Sequence, residues 1–258
     1  MLVVGLTGGI ASGKSTVSSI FKAQHVPLID LDVLARVAVE PNSYALSALV
    51  AHFGDDILRP DGTLHREKLG AIVFGNDKER KVLNSIVHPA VRRLLAWELL
   101  KNWLRGEKVC VVDAPLLIEA GLWRFCGAIV VVYCSEILQI QRLRARNNLS
   151  LSEAQARLGA QHSLASKLDY ADFVIDNSGP LPDLQAQVDR VIAKLDARAG
   201  WSWVLSWLIP PVGVARALLR IGWRLYFKEV GKPKKTRTRG ERGGGGTAEE
   251  IELRERRR

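Results

Sequence analysis

This sequence is short of the residues that build disulfide scaffolds and metal centres. Its 258 residues include three cysteines, Cys110, Cys126 and Cys134, an odd number with no C-x-x-C pair. No histidine, cysteine or carboxylate cluster has ligand spacing. A disulfide framework and a structural zinc site are thereby excluded, and the cysteines read as small buried hydrophobes in a reducing compartment. Long apolar runs are missing as well. The uncharged stretch 199–215 falls short of the roughly 20 residues that a spanning helix needs, and Pro210-Pro211 interrupts it. No signal or transit peptide is expected, because a glycine-rich loop begins only seven residues in. No internal repeat is present.

An excess of acid is also lacking. The net charge is +10, yet residues 1–200 carry 23 basic against 21 acidic side chains, while residues 201–258 carry 14 against 6. The basicity therefore belongs to the tail, and no nucleic-acid partner is expected of the body. With 47% apolar residues the chain has enough for a core, and its length suits one α/β domain with insertions or a small second domain.

What is there begins at Gly8-Gly9-Ile10-Ala11-Ser12-Gly13-Lys14-Ser15, which follows the apolar run Leu2–Leu6 and fits G-x-x-x-x-G-K-[ST] at every fixed position. The strand delivers the chain to a turn whose amides face an anion. A helix starting near Lys14 adds its positive end. Residues 8–16, Thr16 included, are the expected nucleoside triphosphate site, with Lys14 reaching the β- and γ-phosphates and Ser15 ligating Mg²⁺.

Short apolar runs at 2–6, 26–29, 109–112, 128–133 and 173–175 alternate with helical periodicity, clearest over 78–104 and 181–195. This pattern predicts an α/β fold of P-loop NTPase type: a parallel sheet flanked by helices. The gap from about 40 to 107 is too long for one crossover helix and predicts a helical insertion where an acceptor can sit. A second, arginine-rich excursion spans 136–168.

Asp30-Leu31-Asp32 stands at the end of the second strand, where ligand crevices lie. On an extended segment both carboxylates point the same way, one to accept the proton of an attacking hydroxyl and one to position it. Asp32 also fits a helix N-cap before Val33, the less favoured reading. Asp113 closes the third strand and suits a residue that holds Mg²⁺ through water. Arg142 and Arg146 share a helix face and can close over the triphosphate. Pro89 predicts a break that leaves His88 at a turn, buried and hydrogen-bonded rather than catalytic.

Taken in order, these stretches resemble the dephospho-coenzyme A kinase family over about residues 1–200. The matching segments are Gly5–Ser15, Asp30-Leu31-Asp32 with Leu34-Ala35-Arg36, Val87-His88-Pro89, Pro115–Glu119, Gln141-Arg142-Leu143, Ala160-Gln161 and Asp176-Asn177-Ser178-Gly179. Family members often carry Gly where Ala11 stands and Ala where Leu31 stands. The resemblance implies ATP- and Mg²⁺-dependent phosphorylation of the ribose 3′-hydroxyl of dephospho-coenzyme A. It implies a nucleotide core, a helical acceptor domain (about 40–107) and a helical lid (about 136–168). It also implies Lys14, Asp32 and Arg142 as catalytic residues, with Asp30, His88, Leu116, Leu117, Glu119 and Gln161 on the acceptor side. The alternative is another P-loop kinase of a small metabolite or nucleoside monophosphate. A regulatory GTPase is disfavoured, since no Asn-Lys-x-Asp segment is present.

Beyond residue 200, Trp201, Trp203 and Trp207 precede Arg216, Arg220, Arg224 and Lys228, which recur every fourth residue along one helical face. That pattern over 201–228 suits a helix lying on an anionic membrane surface or docked on the enzyme body. Residues 229–258 are expected to be disordered. The chain is expected inside the cell, on the cytoplasmic side, with peripheral attachment to an organelle membrane as an option.

Overall fold

Continuous apolar strands need cover on both faces, and this need sets the architecture. The structure is a computed structural model and describes residues 1–159, 164–200, 218–219 and 222–223. Along the chain come β1 (Leu2–Gly8), α1 (Lys14–Ala23), β2 (Leu28–Asp30), α2 (Leu31–Val37), α3 (Tyr44–Phe53), α4 (Arg66–Val73) and α5 (Asp77–Leu104). They are followed by β3 (Val109–Asp113), β4 (Ala128–Tyr133), α6 (Glu136–Asn147), α7 (Leu151–Gly159), α8 (Leu164–Leu168), β5 (Phe173–Asp176) and α9 (Leu181–Ala199). The strands form one parallel sheet in the order β2-β3-β1-β4-β5.

Successive residues of each strand serve opposite faces. Leu2, Val4 and Leu6 of β1 join Val130 and Val132 of β4 under Val17 and Phe21 of α1 and Leu184, Val188 and Leu195 of α9. Ile129 and Val131 face the other way, toward Leu117, Ile118, Trp123 and Leu164. All five residues of β3 are buried, as expected of a strand covered on both sides. The three cysteines are buried, as read from the sequence.

The insertion has its own small core. Leu49, Ile57, Leu64 and Leu69 pack with Leu83, Ile86 and Val87 of α5. Further along the same helix, Val91, Leu94, Leu95 and Leu99 pack on Ile29, Leu34 and Cys110 at the sheet edge. One helix thus ties the insertion to the sheet. It also corrects the expected break at Pro89, because α5 runs unbroken through the proline. An interior proline costs about 3 kcal/mol. Apolar contacts on both sides of it, each worth up to about 1.5–3 kcal/mol when fully buried, hold the two halves in one helix.

Among the described residues no helix is long and apolar enough to cross a membrane. The expectations for 201–228, apart from 218–219 and 222–223, and for 229–258 lie outside the described residues, as does Gln161.

Candidate active site

The loop after β1 is shaped by two left-handed residues, Ala11 (φ 56°) and Gly13 (φ 85°). Gly13 is the only residue type that fits its place, since a Cβ there would lie 1.9 Å from Asn177 Nδ2. A Cβ at Gly9 would meet Gln139 Oε1 at 2.6 Å. Gly13 also begins α1, which has no side-chain cap and no acid in its first turn. By contrast α2, α3, α5 and α6 are capped by Asp30, Ser43, Asn76 and Ser135. The first amides of α1 are therefore left for a ligand, and the helix end carries partial positive charge toward it.

Lys14 reaches Asp113 at the tip of β3, and Ser18 donates to the other Asp113 oxygen at 2.6 Å. Arg142 on α6 donates through Nη2 to the Asn177 carbonyl (2.9 Å), and Asn177 donates its amide to the Ser12 carbonyl (2.8 Å). Arg142 Nη1 is buried with no hydrogen-bond partner and lies 3.8 Å from where a Gly13 Cβ would stand. A guanidinium nitrogen left open over a loop of uncapped amides fits a polyphosphate, so the residues present suit ATP. Arg146 points elsewhere: it is exposed and donates to Asn147 Oδ1 at 2.9 Å. Burial pushes the Cys134 thiol up, and the neighbouring Arg142 opposes that shift.

The acid pair is not arranged as an extended segment would place it. Strand β2 ends at Asp30, whose Oδ1 accepts from the amides of Asp32 (2.9 Å) and Val33 (3.3 Å) as the N-cap of α2. The cap role falls to Asp30 rather than Asp32 because the chain turns helical at Leu31. Asp32 lies in the first turn of α2, exposed, and lines a cleft of about 450 Å³ between the sheet tips and the insertion. Asp30, Asp113 and Leu6 sit level on adjacent strands β2, β3 and β1, which sets the Asp32 cleft beside the loop.

His88 and Leu116 line that cleft too, and His88 is exposed rather than buried. Leu117 and Glu119 do not line it. Leu117 is fully buried where Gly5 has no side chain, and Glu119 pairs with Lys167 at 2.9 Å. A second cleft of about 440 Å³ runs from Gly9 and Ile10 beneath α6, α7 and α8.

Sequence reasoning missed Lys167. Its ammonium is fully buried and donates to the carbonyls of Pro115 (2.9 Å) and Gly8 (3.4 Å) besides meeting Glu119. One cation thus joins the loop entry, the β3 exit and α8. Nothing in the local sequence marks it, because a lysine on a charged helix reads as solvated. Gln139 beside the loop was missed for the same reason, and Asn177 was legible only as part of a motif.

These features have parallels in known proteins. The family model for dephospho-CoA kinase matches residues 2–183. A dephospho-CoA kinase of Arabidopsis thaliana is 45% identical over 207 residues, 80% of this chain and 88% of the relative. One of Geobacillus kaustophilus is 45% identical over 196 residues, 76% of this chain and 98% of the relative. The solved dephospho-CoA kinase of Campylobacter jejuni superposes with a TM-score of 0.61 at 28% identity, covering 76% of this chain and 97% of that one. With its phosphate loop, its parallel sheet and relatives matched over nearly their whole length, the chain belongs to the dephospho-CoA kinase family.

Proposed function

We propose that this chain transfers the terminal phosphoryl group of ATP to the ribose 3′-hydroxyl of dephospho-CoA, with Asp32 accepting the proton of that hydroxyl. The observation that carries the reading is the shared position of the acceptor cleft and the phosphate loop. The Asp32 cleft opens at Ala114, Pro115 and Leu116, directly after β3, and β3 pairs with the strand that delivers the phosphate loop. An alcohol at Asp32, beyond β2, and a triphosphate on residues 8–16, beyond β1, would face each other across the tip of β3.

In this mechanism Lys14 leaves Asp113 for the β- and γ-phosphates when ATP binds, and the amides of 8–16 hold the remaining oxygens. Arg142 neutralises charge on the moving phosphoryl group; a donor of this kind is worth about 10²–10³ in turnover. Phosphoryl transfer needs little covalent help, so positioning and charge stabilisation supply most of the rate. Mg²⁺ supplies charge neutralisation on the phosphates. Ser15, exposed at the loop mouth, is the residue to hold it, with Asp113 acting through water. The acceptor unit is 40–107 and the lid 136–168. With Asp32, His88 and Leu116 are the sequence-derived residues that border the acceptor cleft.

Incubating the pure protein with ATP, Mg²⁺ and dephospho-CoA should yield CoA, read by mass spectrometry. No product with dephospho-CoA, alongside phosphorylation of a nucleoside monophosphate, would overturn the reading.

The location is a separate part of the proposal: 201–228 holds the enzyme on an anionic membrane surface. Its support is the sequence alone, three tryptophans followed by a cationic stripe. The full chain should co-sediment with anionic vesicles while residues 1–200 stay in solution. Failure of the full chain to sediment would reject it.

A further inference from the structure

Helix α5 is apolar on two sides. Its inner side, Val91, Leu94, Leu95 and Leu99, packs on the sheet edge. On the outer side Arg93, Trp97, Leu100 and Leu104 recur at steps of four, three and four, which puts them on one face turned away from the sheet. Trp97 is 55% exposed and Leu104 59%, and Leu100 between them is exposed too. A helix that only had to tie the insertion to the sheet would carry polar residues there. Arg93 and Arg105 bracket the stripe, both exposed and without an ion pair among the described residues, while Glu98 is already taken by Lys101.

The fold gives this stripe a particular place. Leu99 packs with Met1, and after Leu104 the chain enters β3 at Val109, so the last turns of α5 lie at the edge of the sheet where the strands begin. Phe125, also exposed, stands at the same edge just ahead of β4, where Gly127 donates to the Val3 carbonyl at 2.7 Å. The last turn of α9 reaches that edge as well, because Arg198 meets Asp172 at 3.4 Å directly before β5. Residues 201–228 therefore leave the body from the edge that carries the stripe. The phosphate loop and the Asp32 cleft lie at the opposite edge, beyond the strand ends. Within the tail, the described side chains Leu218, Leu219 and Trp223 are exposed, so their apolar area is not spent on the body.

We infer that the outer face of α5 is a second contact with an anionic phospholipid surface, made by the folded body beside the tail. The inference rests on the membrane reading of 201–228 proposed above. Tryptophan and leucine side chains sink into the headgroup boundary, and arginines beside them attract anionic lipid. A second copy of the chain is a poorer occupant. A stable protein–protein interface takes about 800 Å² from each partner, and four part-exposed side chains supply about half of that or less. Two contacts at one edge fix how the enzyme sits: the strand starts face lipid, and the phosphate loop and the cleft face water.

The test uses the full chain with a polarity-sensitive fluorophore attached at Leu100→Cys; the native cysteines are buried, which confines the label to the new site. A second protein carries the label at Phe74→Cys, exposed in the insertion ahead of α5 and about 35 Å away along that helix. On vesicles of phosphatidylcholine and phosphatidylserine, the label at 100 should shift to the blue and be quenched by brominated lipid, and the label at 74 should do neither. Trp97→Gln, Leu100→Gln and Leu104→Gln combined in one chain should weaken vesicle binding about tenfold or more. Turnover of that variant without vesicles should stay within about a factor of two of wild type, and melting curves confirm that it folds. A full chain that sediments with an unmoved label at 100, or with equal shifts at 100 and 74, would overturn the contact and leave the tail reading standing. A label at 100 that is shielded before vesicles are added and unmoved by them would give the stripe to the tail or to a second copy, told apart by light scattering against protein concentration, and would overturn the contact too. A full chain that does not sediment would sink the membrane reading itself, and this contact with it.

Discussion

The carboxylate of Asp113 holds the ammonium of Lys14 with one oxygen and the hydroxyl of Ser18 with the other. Asp113 is 3% exposed, so this small network is anchored in the buried tip of β3 beside the phosphate loop. The same pairing holds the Lys14 ammonium at the tip of β3.

Lys14→Ala removes one partner of a buried charge and leaves Asp113 with Ser18 alone. Stability should fall by about 1–3 kcal/mol, read as a lower melting temperature. ATP, which should raise the melting temperature of the wild type by mass action, should leave that of the variant unmoved. An ATP-induced rise of equal size in both proteins would remove Lys14 from the phosphate site.

Asp32→Asn keeps shape and discards the proton acceptor. Because Asp32 is exposed and makes no side-chain bond within the described residues, stability should change by less than about 0.5 kcal/mol. Turnover should fall by about a hundredfold or more with ATP affinity unchanged. Steady-state kinetics and nucleotide titration separate the two effects.

Lys167 and Glu119 should be energetically coupled. Lys167→Met leaves a largely buried Glu119 without its cation and should cost about 3–5 kcal/mol. Glu119→Gln in the same chain should recover part of that loss. A double-mutant cycle in denaturant should give a coupling of about 0.5–3 kcal/mol; strict additivity would show that the two groups do not act together.

Ala11 occupies the left-handed region at φ 56°, which costs an L-residue about 1–2 kcal/mol. Ala11→Gly should relieve that strain and offset it partly through greater freedom of the unfolded chain. A net gain of up to about 1 kcal/mol is expected from urea unfolding, with turnover kept.

Cys110 gives a pH dependence of defined sign. Burial, then the nearby Glu107 and Glu98, push its thiol up to about 12. Above about pH 9 the unfolded chain ionises this thiol while the native state still keeps its proton. The native state then binds more protons, so stability falls as pH rises from about 9 toward 12 and is fully present below that window. Cys110→Ala should flatten this part of the stability profile.

The phosphate loop, all five strands and the helices over 78–104 and 181–195 were legible because each follows from local pattern: apolar runs, period and turn residues. Asp30 and Asp32 show where that legibility stops. Both were visible as acids at a strand end, but which one caps and which one faces the cleft depends on where β2 stops. The strand ends at Asp30 because its last pairing partner, Asp113, ends β3 at the same level. Pro89 is a similar case, since helix continuity through it comes from packing on two cores. Leu116, Leu117 and Glu119 belong to one short segment, yet of these only Leu116 reaches the cleft.

By itself the sequence determined the anion cradle, the alternation of strands and helices, and the family, since these rest on residues near one another in the chain. Tertiary structure decided which polar groups meet. Lys14 with Asp113, Lys167 with Glu119, and Arg142 with Asn177 are pairs separated by 35 to 99 residues. The reason is physical: backbone geometry and apolar period are local, whereas an ion pair exists only after the sheet has brought distant strand tips to one edge.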